Sequence, residues 1–142
     1  MKILTTEAQR HRENEEGKDP RTSKIIGAAI EVHRHLGPGL LESAYEECLC
    51  HELYLQKIDF KRQVELPISY KGLNLDCGYK IDLIVQDTVI LELKSVDRLL
   101  PIHEAQLLTY LRIKEKPVGL LINFNVSVLV KGIIRMVLRM VL

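Results

Sequence analysis

Apolar positions from residue 25 onward recur at helical spacing, with Ile25, Ile26, Ala29, Ile30, His33 and Leu36 on one stripe. Thr22 and Ser23 stand where helix caps are expected, and Gly37-Pro38-Gly39 ends the helix. A second helix is expected from about Leu41 to Gln56, because Leu41, Ala44, Tyr45, Cys48, Leu49 and Leu53 share one broad face. From Phe60 the period becomes two. Val64, Leu66 and Ile68 precede a turn at Lys71-Gly72; Tyr79, Ile81, Leu83 and Val85 form a second run, and Val89, Leu91 and Leu93 a third. These are three antiparallel strand candidates.

Pro101 suits the first turn of a third helix carried by Ala105, Leu108 and Leu111, closed before Lys116-Pro117. Strand-like runs follow at 118–124 and 126–130, while the pattern from Ile133 to Leu142 fits strand or helix. The order of helices and strands predicts an α+β fold, with helices packed on a mixed sheet. Residues 1–20, rich in Glu, Arg, Lys and His, bury little and are expected to form a flexible polar tail ahead of a single domain over 21–142.

Composition narrows the class. At 142 residues, one core is the default, and 46% hydrophobic with 27% charged residues is ordinary for a globular protein. A net charge of +1 excludes a globally basic, nucleic-acid-coating protein, so any such contact must be local. Cys48, Cys50 and Cys77 lack CxxC spacing and give neither a disulfide framework nor a four-thiolate metal cluster, which fits a reducing cytoplasm. No apolar run reaches the roughly 18 residues of a membrane span, and the start has no signal-peptide pattern. A cytoplasmic protein without a membrane partner is the expectation.

The chemistry lies in YKIDLIVQDTVILELK, residues 79–94, where charged side chains interrupt clean alternation. Matching Val85 with Val89 and Leu83 with Leu91 requires the loop Gln86-Asp87-Thr88 and sets Asp82 opposite Glu92. Facing carboxylates repel unless a cation lies between them. A hard divalent ion such as Mg²⁺ takes oxygen ligands and keeps several waters, so Asp82, Glu92 and the Leu93 carbonyl make a reasonable half-shell. Lys94 leans to the same face, where an ammonium can orient or deprotonate a water, or stabilise charge on a phosphate. The same pattern also describes a solvated face of a one-sided sheet. Gln106 and Tyr110 share a helix face one turn apart, in reach of the same cleft.

Asp82, nine residues, then Glu92-Leu93-Lys94, then Gln106-Leu107-Leu108-Thr109-Tyr110, resembles the D…(D/E)xK…QxxxY series of RecB-like PD-(D/E)XK nucleases. Gly39-Leu40-Leu41-Glu42-Ser43-Ala44-Tyr45 resembles the signature of the GxxExxY family within that superfamily. The resemblance spans about Ile25 to Leu138 and implies a restriction-endonuclease-like core, a central mixed sheet flanked by helices. It further implies that Glu42, Asp82 and Glu92 serve a metal, that Lys94 is the catalytic lysine, and that Gln106, Tyr110 and Tyr45 support the site or touch nucleic acid. Ile81 stands where the superfamily's name has Pro, a frequent departure.

A histidine upstream of the main motif joins the metal shell in some RecB-like enzymes; His33 is the candidate here, though its apolar stripe also fits a packed core histidine. His35 suits the helix C-terminus. Cys48, Cys50 and His51 diverge around their helix and read as packing residues. Lys57, Lys61, Arg62, Lys71 and Lys80 add positive charge that suits phosphate or simply solubilises the surface. The expected activity is Mg²⁺- or Mn²⁺-dependent hydrolysis of DNA, with a homodimer as the usual device for cutting both strands. The alternatives are a noncatalytic nucleic-acid-binding or interaction module on the same fold, and an RNA-directed nuclease.

Overall fold

The computed structural model describes residues 3–10 as backbone and residues 19–141, with side chains from 19 to 139. Among the described residues the order is β1 (Ile3–Arg10), α1 (Pro20–Leu36), α2 (Glu42–Leu55), β2 (Phe60–Glu65), β3 (Ile68–Tyr70), β4 (Leu73–Leu75), β5 (Lys80–Val85), β6 (Val89–Lys94), α3 (Pro101–Lys114), β7 (Val118–Asn123) and β8 (Ile133–Val141).

Six strands form one mixed sheet in the order β1-β8-β7-β6-β5-β2, and β3 and β4 make a separate hairpin. β6 and β7 are parallel, joined through α3, while the other neighbours run antiparallel. The parallel pair lies at the centre, and every residue of β7 is buried. This explains its unbroken apolar run, which lacks the alternation of a one-sided strand.

The two faces of the sheet are covered differently. α1 and α2 pack Ile25, Ala29, Leu49 and Leu53 onto Leu83, Val85, Leu91, Leu93 and Leu120. α3 packs Leu107, Tyr110 and Leu111 onto Ile84, Ile90 and Leu121 on the other face. Each fully buried leucine contributes about 1.5–3 kcal/mol of transfer free energy. Gly119 allows the close approach of α3, since a Cβ there would lie 2.8 Å from a Leu107 methyl. The sheet is thus held rigidly between helix layers, and the α+β, restriction-endonuclease-like architecture is present.

Four details differ from the expectations. The segment read as a polar tail includes β1, which pairs along β8 from Ile3 opposite Val141 to Arg10 opposite Ile134. The open edge of β8 supplies the pairing that local composition does not reveal; residues 11–18 lie outside the described residues. The N-cap of α1 is Asp19, not Thr22 or Ser23. Its side chain accepts from Arg21 N at 2.9 Å, and Pro20 takes the first helical position.

The run expected as one strand through Ile68 ends at Glu65, because Pro67 has no N–H to give a ladder, and a short hairpin follows. Residues 126–130 form bends and the start of a 3-10 turn, Leu129–Gly132, not a strand. Here Val126 gives its carbonyl to His33 at 2.8 Å, and Leu129 is buried in the core. The C-terminal segment resolves as strand β8. No helix among the described residues is long and apolar enough to cross a membrane.

Candidate functional site

The β5–β6 hairpin has the expected register, with Val85 opposite Val89 and Leu83 opposite Leu91. The ladder then stops. On the other flank, β2 pairs Arg62 with Leu83 and Val64 with Ile81, skipping Gln63 and Asp82. Asp82 thus falls outside the paired positions of both ladders. The strand also changes face here: Leu83 packs with the α1–α2 layer and Ile81 with the α3 layer.

The Asp82 side chain takes the place of the missing ladder bond, with Oδ2 accepting the Leu93 N–H at 2.8 Å. Because N–H and C=O of one strand residue point to the same edge, the Leu93 carbonyl also faces β5. The next residue behaves oppositely, since the Lys94 carbonyl accepts from Phe124 N on the β7 side.

Glu92 is 4% exposed, and its Oε1 is buried without a hydrogen-bond partner. Burial pushes its carboxyl up to about 9; the Asp82 charge and a hydrogen bond shared with Asp82 act the same way, against a smaller opposing pull from Lys94. A buried acid with an orphaned oxygen beside another acid is costly in a purely structural role. The donor set, two carboxylates and a main-chain oxygen, fits the chemistry of a hard divalent cation. Among the described residues no three His, Cys, Asp or Glu side chains gather to hold a metal.

Glu42 sits exposed in the first turn of α2. The α2 acid that turns inward is Glu46, one turn later and 8% exposed. It pairs with Arg62 at 2.8 Å and accepts the Gln63 side-chain amide at 2.7 Å. The same amide nitrogen lies 3.5 Å from Asp82 Oδ1. Gln63 has φ of +50°, a left-handed conformation that costs a non-glycine residue about 1–3 kcal/mol and concentrates at functional sites. Glu46 and Gln63 were missed in the sequence. The signals for them are a second acid on the α2 stripe and a Gln opposite Asp82 in register.

Tyr45 is fully buried. Its hydroxyl donates to the Gly37 carbonyl at 2.6 Å and accepts from Leu40 N at 3.2 Å, and its ring stacks on Phe124 with centroids 4.5 Å apart. Gly39, at φ of +99°, makes the same turn possible. The glycine and tyrosine of that signature thus shape the entry to α2. Ser95 donates its hydroxyl to the Leu40 carbonyl at 2.5 Å, which fastens this turn to the residue after Lys94. His33 is buried, donates to the Val126 carbonyl at 2.8 Å and lies near the Phe124 ring.

On the α3 face, Lys94, Gln106 and Tyr110 line one cavity of about 480 Å³. Tyr110 is 5% exposed, and burial, followed by the charges of Glu92, Tyr79 and Asp82, raises its phenol above the usual range. Asn123, beside Lys94 in the parallel register, holds the exit from β6: it accepts from Val96 N at 3.1 Å and donates to the Val96 carbonyl at 2.9 Å. The structure therefore brings together Asp82, Glu92, Leu93, Lys94, Gln106 and Tyr110, while Tyr45 and His33 both face the Phe124 ring.

A protein-family model of the PD-(D/E)XK nuclease superfamily matches residues 19–136. No curated protein and no solved structure matches the chain significantly.

Proposed function

Since the chain belongs to the PD-(D/E)XK nuclease superfamily, we propose that it hydrolyses phosphodiester bonds in DNA with Mg²⁺ or Mn²⁺ held by Asp82 and Glu92. The observation that carries this reading is the partnerless, buried Glu92 Oε1 beside Asp82.

The metal, when bound, supplies Lewis acidity toward the phosphate and toward an attacking water. Asp82 and Glu92 contribute anionic oxygens, and the Leu93 carbonyl is the nearest main-chain candidate for a third. Lys94 follows Glu92 by two residues on one strand face, so its ammonium orients the water or neutralises charge that develops on the phosphate. Tyr110 and Gln106, from α3, donate to the phosphate backbone. Glu46 and Arg62, acting through Gln63, fix Asp82 at the gap in the ladder. Glu42, at the rim, faces solvent near the same end of β6.

Calorimetric titration with Mn²⁺ tests the division of roles. One binding event is expected in the wild type, lost in Asp82→Asn and Glu92→Gln and kept in Lys94→Ala. Unchanged Mn²⁺ binding in the two acid variants would remove Asp82 and Glu92 from the metal site.

A further inference from the structure

The cavity beside Lys94 extends well past the residues that metal chemistry needs. Leu66, Ile68, Ile102 and Ile113 give it apolar walls, while Gln106 and Thr109 add polar groups along α3. Its lining contains no carboxylate, and Lys94 is its one side chain with a fixed charge.

Tyr79 stands at this cavity, 46% exposed, and among the described residues no aromatic ring stacks on it. Its backbone is fixed, because the Tyr79 carbonyl accepts from Leu66 N at 3.0 Å. The ring is thus carried on an ordered main chain, which lowers the backbone ordering left to do on binding. Apolar walls, a few hydrogen-bonding groups and an open aromatic face suit a flat, uncharged heteroaromatic ring whose edge is polar. Its flanking phosphates meet Lys94 and no acid of the cavity itself.

We propose that this cavity receives an unpaired nucleobase next to the bond being cut, stacked on Tyr79. The inference rests on the nuclease reading and narrows its substrate class. A base inside a continuous duplex has both faces covered by its neighbours, so the site selects single strands or frayed ends over uninterrupted duplex.

The test is binding of two labelled DNA oligonucleotides of equal length to the full chain in Ca²⁺, a hard cation that takes the same oxygen ligands. One is an ordinary single strand; the other carries abasic sugars at successive positions and keeps every phosphate. The ordinary strand is expected to bind about tenfold more tightly or better, the scale of base–aromatic stacking. Tyr79→Ala should abolish that difference and Tyr79→Phe should keep it, since the ring and not the hydroxyl does the stacking. Equal affinity for the two strands, or a difference that survives Tyr79→Ala, overturns the base site. If such a protein still cuts DNA with Mg²⁺, the nuclease reading stands without it; if neither strand binds and no DNA is cut, both fail together.

Discussion

Asp82 bonds through its side chain to the main-chain N–H of Leu93 at 2.8 Å, so one acid of the pair also closes the sheet where its own backbone has left the ladder. This double duty separates two substitutions. Asp82→Ala leaves a buried N–H without a partner, at a cost of about 1–3 kcal/mol. Asp82→Asn keeps an oxygen acceptor and should melt close to the wild type. Both should lose metal-dependent cleavage. Thermal unfolding beside an activity assay distinguishes the structural loss from the chemical one.

Gln63 combines a left-handed backbone with an amide shared between Glu46 and Asp82. Gln63→Gly relieves the backbone strain, worth about 1 kcal/mol or more, and removes the amide. Its expected signature is a melting temperature at or above that of Gln63→Ala together with weaker Mn²⁺ binding than in the wild type. Wild-type metal affinity in both variants would show that the strained residue serves only the fold.

The raised carboxyl of Glu92 carries a pH signature in metal-free protein. Between the ordinary carboxyl value of 4.5 and about 9, the folded chain holds a proton that the unfolded chain has released. Stability in EDTA should therefore fall as pH rises through that window. Mg²⁺ binds the ionised form, so the increase in melting temperature it produces should grow with pH. Glu92→Gln removes both trends, and melting curves from pH 5 to pH 9 with and without metal measure them.

Tyr45→Phe isolates the turn before α2. The substitution keeps the stack on Phe124 and removes the hydroxyl that joins Gly37 to Leu40. A loss of about 1–2 kcal/mol is expected, read by urea unfolding, with Mn²⁺ affinity unchanged. A selective loss of metal binding would instead make Tyr45 part of the site.

The hairpin that carries Asp82, Glu92 and Lys94 was legible because two apolar pairs and a short loop permit one register, and that register brings Asp82 beside Glu92. The inward acid of α2 was not. Glu42 and Glu46 lie at nearly the same angle around the helix, and periodicity gives that angle but not the distance along the sheet. Nor does Arg62-Gln63-Val64 announce a left-handed residue, since without Gly or Asn the segment reads as plain strand. The pairing of β1 depends on the open edge of β8, more than 120 residues away in sequence, and no local pattern encodes it. Val126 and Val128 alternate like a strand, yet the buried His33 takes the Val126 carbonyl and the chain turns.

The most direct test is cleavage of labelled single- and double-stranded DNA and RNA by the purified chain in Mg²⁺, Mn²⁺ or EDTA, beside Asp82→Asn and Lys94→Ala. DNA cutting that needs the metal and disappears in both variants is the predicted result. Folded protein that takes up no metal and cuts no substrate would contradict it and leave a noncatalytic binding module on this fold; cutting confined to RNA would keep the chemistry and overturn the assignment to DNA.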